Sequence, residues 1–150
     1  MDDSPAGLLI SVRPYWAAKL LSGEKTVELR RTRPRTWTGM PVWVYSSSPQ
    51  RSLVGVSWLR DLEEGDVSEV WRRVAGGSAA TFDEYSAYFA GASRAFGLRL
   101  DPVVQLGNAV GLRDLRAAVP GFRPPQSWRY VGAVEATRLN RLAGDLRLAS

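Results

Sequence analysis

The first sixty residues consist of short apolar runs separated by turn-forming residues, with one amphipathic segment between the first two runs. Residues 8–12 form an apolar run that is typical of a buried strand. Pro14 suits the first turn of a helix, and Gly23 is a suitable C-terminal stop for that helix. Apolar and polar residues then alternate over residues 25–31, which predicts a half-buried strand. Two further strands are predicted at residues 42–45 and 53–59.

The middle of the chain has the periodicity of helices. Asp66 and Glu69 have the spacing of a capping box, and apolar residues follow along one helical face. Thr81 and Glu84 form a second candidate capping box ahead of further aromatic residues. The sequence therefore predicts two consecutive helices within residues 66–90.

Strand and helix patterns alternate again in the last third of the chain. The predictions there are strand-like patterning at residues 95–106, a short helix at 112–119, a Pro/Gly-rich loop at 120–125 and a terminal helix through Leu139, Leu142 and Leu146. No repeat or interdomain linker is visible, so we expect one domain over residues 1–150. Short strands with helices between them favour an α+β fold, namely a mixed β-barrel with flanking α-helices.

The chain contains no cysteine and no histidine. Disulfides, thiolate or imidazole metal sites, cysteine nucleophiles and serine–histidine triads are therefore excluded. Any catalysis must use Lys, Arg, Asp, Glu, Ser, Thr or Tyr side chains, and we predict neither a metal nor a cofactor. No apolar run approaches the roughly 18 residues of a membrane span, and the acidic N-terminus lacks the pattern of a secretory signal. A cytoplasmic location without membrane contact is expected.

The net charge of +5 is distributed unevenly along the chain. Residues 1–60 carry nine basic and four acidic side chains, residues 61–100 carry four and seven, and residues 101–150 carry seven and four. A positive surface favours polyanions through counterion release, so RNA is a candidate partner and DNA a weaker one. Eighteen of the twenty basic residues are arginine, a bias that a GC-rich genome also produces, so charge alone leaves both origins open.

Residues 23–30 bring three charged side chains together at the start of a predicted strand. Gly23, Lys25, Glu28 and Arg30 read G-x-K-x-x-E-x-R. Glu28 and Arg30 share one face of a regular strand, so Lys25 joins them only from a turn before the strand or through a bulge. In a shared pocket Glu28 would accept from a base edge or hold Lys25, and Arg30 would bind phosphate. A partly buried Lys25 would act as base or nucleophile, whereas the alternative is a solvated edge strand.

The loop after this strand adds further candidates. Four arginines occur within residues 30–35, and as a phosphate-binding loop they would lie at the rim of a cleft. Aromatic rings stack on unpaired bases, and Trp37 in the polar loop is the tryptophan expected to be exposed. The alternative for the arginines is a solvated loop. The serines at residues 46–48 could offer hydroxyls to a ligand, and the alternative for them is a plain turn. The candidate ligand-binding residues are Lys25, Glu28, Arg30, Arg31, Arg33, Arg35, Trp37, Tyr45 and Ser46.

The whole pattern resembles the ASCH family of PUA-like β-barrels. The resemblance rests on the complete G-x-K-x-x-E-x-R signature at residues 23–30. It is supported by Ile-Ser-Val-Arg-Pro at residues 10–14 and by Pro-Pro-Gln-Ser-Trp-Arg-Tyr at residues 124–130, so it spans roughly residues 8–131. The resemblance implies a PUA-like barrel with a cleft beside the motif and an RNA or nucleotide ligand.

Some members of the family are enzymes, which leaves a second class of function open. One branch hydrolyses the amide of an acetylated cytidine with Lys, Thr and Glu, and another cuts RNA. The amidohydrolase branch has Thr where this chain has Glu28, and the local threonine is Thr26 instead, so the resemblance favours binding over deacylation. As a ribonuclease or amidohydrolase the chain would use Lys25 and Glu28, with Thr26 secondary and Glu63 or Glu64 as a further carboxylate. A third alternative is a regulatory module that recruits a protein partner through the acidic middle segment.

Overall fold

A computed structural model describes residues 4–144 of the chain. Within them, strands and helices are interspersed. The strands are β1 Gly7–Val12, β2 Val27–Arg30, β3 Pro41–Ser46, β4 Ser52–Asp66, β5 Arg94–Leu100, β6 Val104–Gly111 and β7 Trp128–Val131. The helices are α1 Pro14–Ser22, α2 Val67–Ser78, α3 Phe82–Tyr88, α4 Leu112–Ala118 and α5 Ala133–Leu142. The predicted α+β class is confirmed.

These strands form one mixed sheet. Six follow the order β2-β5-β4-β3-β1-β7, and β6 pairs with the first half of β4. β1 and β3 run parallel, whereas the other pairs are antiparallel. No backbone pairing joins β2 to β7 within residues 4–144, so the sheet is not closed into a complete barrel. Side-chain hydrogen bonds connect these two ends instead.

The strand β4 is longer than the one predicted at residues 53–59. Its first half pairs with β3 and β6, and its second half pairs with β5. Charged residues interrupt the apolar pattern in the second half, which is why the sequence did not reveal it. Glu63 and Glu64, expected after this strand, therefore lie within it.

The helix ends follow local sequence signals in two of three cases. The backbone of Gly23, just after α1, has a φ of 84°, the left-handed conformation that glycine favours. The Thr81 capping box is confirmed, because Thr81 Oγ1 accepts from the Glu84 N–H at 3.1 Å and Glu84 Oε1 accepts from the Thr81 N–H at 2.8 Å. Asp66 precedes α2 but makes no side-chain cap hydrogen bond, so the other predicted box is not formed.

The helices α2 and α3 cover the end of the sheet that contains β2. Val27 of β2 packs in a buried cluster with Val70 and Val74 of α2 and Tyr85 of α3. The Tyr85 hydroxyl donates to the carbonyl of Val67 at 2.7 Å, which ties the two helices together. This packing places α3 beside the charged motif.

The predicted terminal helix is present as α5, which packs Ala136 and Leu139 into the core. Leu146, assigned to the same helix, lies outside the described residues. Among residues 4–144, no helix is both long enough and apolar enough to cross a membrane.

Candidate functional site

A cleft of about 930 Å³ opens between β2, α3 and the segment that precedes β7. The charged motif forms its floor, since Lys25, Glu28 and Arg30 all line it. All three are nearly buried, with exposed fractions of 4%, 7% and 5%. The remaining lining residues are Ser11, Val12, Arg13, Trp16, Leu29, Arg31, Thr32, Ser47, Ala80, Glu84, Tyr85, Tyr88, Pro125, Gln126 and Ser127.

Lys25 reaches the cleft from the turn before β2, as strand geometry requires. Its own N–H donates to Lys19 O at 3.0 Å, and the N–H of the next residue donates to Gly77 O at 2.7 Å. Lys25 Nζ donates to Ser78 O at 2.7 Å and lies 4.8 Å from the centre of the Trp16 ring. Of the two alternatives, a turn before the strand or a bulge within it, the turn is therefore the one that brings Lys25 to Glu28 and Arg30.

The environment of Lys25 disfavours its charged form. Burial lowers the pKa of the Lys25 ammonium below its ordinary value of 10.5, and the nearby Arg30 cation lowers it further. The carboxylates of Glu28 and Glu84 oppose the shift without cancelling it. A lysine in this state releases its proton at a lower pH than an exposed one, which suits a base or nucleophile.

Glu28 and Arg30 are incompletely paired despite their burial. Glu28 Oε1 lies 3.6 Å from Arg30 Nη2, a long ion pair. Glu28 Oε2 and Arg30 Nε have no hydrogen-bond partner among the described residues. Buried polar atoms are seldom left in this condition, so these two residues of the motif leave one acceptor and one donor without a partner among the described residues.

Arg30 also holds together the two ends of the sheet. Its Nη1 donates to Ser127 O at 3.1 Å and to Ser127 Oγ at 2.9 Å, while Nη2 donates to Ser11 O at 3.2 Å. Ser11 is in β1, and Ser127 directly precedes β7. Nearby, Trp128 Nε1 donates to Thr32 Oγ1 at 3.0 Å. We call this side-chain junction between β2 and the β1–β7 pair the seam, and the cleft lies along it.

The arginine loop contributes less to the cleft than its sequence suggested. Arg31 lines the cleft, but its Nη1 is occupied by Tyr88 O at 2.6 Å and Ala90 O at 3.1 Å. Arg33 forms an exposed ion pair with Glu64 at 2.8 Å. Arg35 stacks on the Tyr130 ring, with 5.0 Å from its guanidinium carbon to the ring centre. Neither Arg33 nor Arg35 lines the cleft.

Four other candidates lie away from the cleft lining. Trp37 is 44% exposed, as expected of the polar loop, but it does not border the cleft. Tyr45 is buried, and its ring packs against Phe122. Ser46 is fully buried, and its Oγ has no hydrogen-bond partner in the described part of the chain, whereas its neighbour Ser47 lines the cleft. Thr26 is exposed beside α2 and does not line the cleft either.

The two carboxylates considered as additional catalytic groups also lie elsewhere. Glu63 lies 3.2 Å from Arg99 and 3.4 Å from Arg73 in ion pairs, and Glu64 pairs with Arg33. Neither borders the cleft. Glu84 is the carboxylate that does, from α3, in addition to Glu28.

Sequence patterns did not identify Ser11, Trp16, Glu84 and Tyr88 as site residues. Tyr88 is 39% exposed, and its hydroxyl donates to Leu29 O at 3.1 Å. Burial raises the pKa of that hydroxyl, so it remains protonated. The helical spacing of Tyr85 and Tyr88 was a usable signal, because it places both rings on one side of α3.

The described residues offer no evident metal site. No group of three or more Asp and Glu side chains within residues 4–144 is placed to hold an ion. The side chains that line the cleft supply an amine, two carboxylates, three guanidinium groups, hydroxyls and aromatic rings.

Comparison with known proteins identifies the family. No family model matches the chain. An ASCH domain-containing ribonuclease from Zymomonas mobilis is 31% identical over 140 residues, which cover 92% of this chain and 93% of the relative. The chain belongs to the ASCH family. The resemblance inferred from the G-x-K-x-x-E-x-R signature is confirmed.

Solved structures agree with this ASCH assignment. The crystal structure of ASCH from Zymomonas mobilis has a TM-score of 0.85 and 29% identity, covering 91% of this chain and 95% of that one. The N-terminal domain of Staphylothermus marinus McrB has a TM-score of 0.60 at 11% identity, covering 94% of this chain and 98% of that domain. The second likeness concerns the fold alone.

Proposed function

We propose that this ASCH protein binds single-stranded RNA and holds one nucleotide in the cleft. The observation that carries the proposal is the buried trio of Lys25, Glu28 and Arg30, in which Glu28 Oε2 and Arg30 Nε lack hydrogen-bond partners within residues 4–144. An unpaired buried charge or polar atom costs free energy, and a ligand that supplies the missing hydrogen bonds removes that cost.

The free groups match the chemistry of a nucleotide. Glu28 Oε2 accepts from a base amino or imino group, and Arg30 Nε donates to a base carbonyl or a phosphate oxygen. Trp16 and the half-exposed Tyr88 supply aromatic faces for base stacking. The volume of about 930 Å³ lies in the range of pockets that hold small ligands.

The net charge of the chain and the name of its relative favour RNA over other ligands of similar shape. The net charge of +5 supports binding to a polyanion. The Zymomonas mobilis relative carries the name of a ribonuclease. RNA differs from DNA by its 2′-hydroxyl, which the hydroxyls and carboxylate of a small polar cleft are suited to recognise.

A binding titration with matched variants tests this proposal. Fluorescence anisotropy would measure the affinity for a labelled 12-nucleotide RNA of random sequence and for DNA of the same length. We expect Glu28→Gln to weaken RNA binding at least tenfold, because an amide of the same shape has no negative charge and replaces one of the two acceptor oxygens with a donor. Arg72→Gln, on the exposed side of α2, is the control and should change affinity less than threefold. Equal effects of the two substitutions, or no binding by the wild type, would contradict the proposal.

A second candidate function is RNA cleavage, favoured by the name of the relative and by the lowered pKa of Lys25. Neutral Lys25 would take the proton of a 2′-hydroxyl, and the 2′-oxygen would attack the adjacent phosphorus. The bond to the 5′-oxygen would break, and that oxygen would take a proton from water. Arg30 would stabilise the charge on the phosphate oxygens. The products are a 2′,3′-cyclic phosphate and a 5′-hydroxyl.

Cleavage and binding can be separated with one substrate change. A 12-mer with a single 2′-deoxy position should resist cleavage at that position but still bind. Lys25→Met should abolish cleavage while circular dichroism shows a retained fold. Persistent cleavage by Lys25→Met would exclude Lys25 as the base, and absence of cleavage by the wild type would leave binding as the function. The amidohydrolase alternative has less support, because Thr26 does not line the cleft.

A further inference from the structure

A second, smaller groove lies next to the cleft. It encloses about 360 Å³ and is bordered by the loop after α4 and by the first half of α5. Three arginines and one glutamate line it, so basic groups predominate. These are Arg123, Arg129, Arg138 and Glu135.

The cleft and the groove share one wall, the segment of residues 123–129. Pro125 and Ser127 line the cleft, whereas Arg123 and Arg129 line the groove. Arg30 holds Ser127 from the cleft side. Arg129 Nε donates to Arg123 O at 2.9 Å and closes the segment from the groove side. The wall is thus fixed from both sides by arginine side chains.

The groove has uncompensated positive charge. Arg129 Nη1 and Nη2 each lie 2.7 Å from a Glu135 oxygen, a bidentate pair in which the two charges cancel. Arg123 and Arg138 are exposed, and within residues 4–144 neither forms an ion pair with a carboxylate. Two guanidinium groups are therefore available to an anion, and guanidinium binds phosphate in a bidentate manner.

We propose that the groove binds the phosphodiester backbone of the RNA strand whose nucleotide occupies the cleft. This inference rests on the proposed function, since it extends the path of the same strand. The Cα atoms of Arg123 and Pro125 are at most about 7 Å apart, because they are two residues apart along the chain. Neighbouring nucleotides of one strand can therefore reach both sides of the wall. The cleft reads the nucleotide, and Arg123 and Arg138 hold the adjoining phosphates.

The test compares two double variants with the same change in net charge. Arg123→Gln with Arg138→Gln removes the free cations of the groove, and Arg72→Gln with Arg94→Gln removes two exposed arginines that border neither cavity. Each variant is titrated with a labelled 12-nucleotide RNA at several salt concentrations and with a mixture of nucleoside monophosphates. The groove variant should bind the 12-mer at least tenfold more weakly than the control. In the groove variant the slope of log K against log salt should become less steep by about 1.4, that is by about 0.7 for each lost phosphate contact.

Binding of the monophosphates separates this inference from the proposed function. It should be the same in the wild type and the groove variant, because a single nucleotide occupies only the cleft. Equal loss of 12-mer binding in both double variants, or no loss in the groove variant, would overturn the groove proposal and leave the cleft proposal standing. A wild type that binds neither ligand would overturn both. If the groove variant fails to fold, Arg138→Gln alone, on the exposed face of α5, should give about half the change in slope.

Discussion

Arg30 Nη1 lies 2.9 Å from Ser127 Oγ, although the two residues are 97 positions apart in the chain and at opposite ends of the sheet. The backbone ladder does not join β2 to β7 within the described residues, and Arg30 bridges the seam with its side chain. The cleft lies along this unpaired junction, because Ser11, Arg30 and Ser127 all line it. Arg30 therefore both lines the cleft and connects the two ends of the sheet.

Arg30→Lys tests whether the hydrogen bonds of the guanidinium group, and not its positive charge alone, hold the two ends of the sheet together. Lysine keeps the positive charge but cannot reach Ser11 O and both Ser127 oxygens at once. We expect a loss of about 1.5–3 kcal/mol in the free energy of unfolding, the range for hydrogen bonds to charged groups. Urea denaturation measures it. Arg33→Lys, in an exposed ion pair, is the control and should cost less than about 1 kcal/mol. Equal losses in the free energy of unfolding of the two variants would mean that the hydrogen bonds of Arg30 across the seam do not stabilise the fold.

The stability of the protein should depend on pH through Lys25. Its pKa is lowered in the folded state, so between that value and the ordinary 10.5 the unfolded chain binds more protons than the folded one. The free energy of unfolding of the wild type, minus that of Lys25→Met, should therefore rise with pH through this window, by at most about 1.4 kcal/mol per pH unit. Below the lowered pKa the cost of burying the cation is fully present. A difference that stays flat up to pH 10.5 would contradict the buried, desolvated lysine.

Glu28→Gln should lower the pKa of Lys25 further, because the Glu28 carboxylate raises it in the wild type. The chain has only two lysines, Lys19 and Lys25, so carbon-13 NMR of labelled lysine resolves both. Lys19 pairs with Glu24 on the surface and serves as an internal reference, with a pKa raised chiefly by that hydrogen bond. An unchanged titration of Lys25 in Glu28→Gln would show that the two groups do not interact.

Thr81→Ala should loosen the α3 wall of the cleft. The substitution removes the hydroxyl that accepts from the Glu84 N–H, and loss of such a cap costs about 1 kcal/mol. Hydrogen exchange should increase in α3, and binding of RNA should weaken because Tyr88 is held less firmly. Ser93→Ala, in the loop after α3, is a control that should leave exchange in α3 unchanged. Unaltered exchange in Thr81→Ala would show that the cap does not position this helix.

The sequence predicted the local structure around the cleft well. Gly23 marks the end of α1, and the alternation from Val27 onward marks β2, so Lys25 had to lie in the turn between them. These signals act over a few residues. The sequence therefore showed the condition under which Lys25 could join Glu28 and Arg30, namely that it lies in a turn before the strand. In the structure Lys25 lies in that turn, and all three residues line one cleft.

Contacts between distant segments could not be predicted in this way. Nothing near Arg30 indicates that Ser127 lies opposite it. The spacing of Tyr85 and Tyr88 places both rings on one side of α3, but it does not show which other segments that side meets. Tyr45 shows a different limit: β3 lies between β1 and β4, and both of its faces are buried. In such a strand apolar and polar residues do not alternate, so the sequence does not show which face of the sheet Tyr45 occupies.

Photocrosslinking shows directly whether a nucleotide of bound RNA lies in the cleft. A 12-mer containing 4-thiouridine would be irradiated with the wild type, and the modified peptides would be identified by mass spectrometry. We expect adducts on Trp16 or Tyr88 that disappear with excess unlabelled RNA and in Glu28→Gln. Adducts confined to Trp37 or to other surfaces outside the cleft, unaffected by Glu28→Gln, would contradict this placement of the nucleotide.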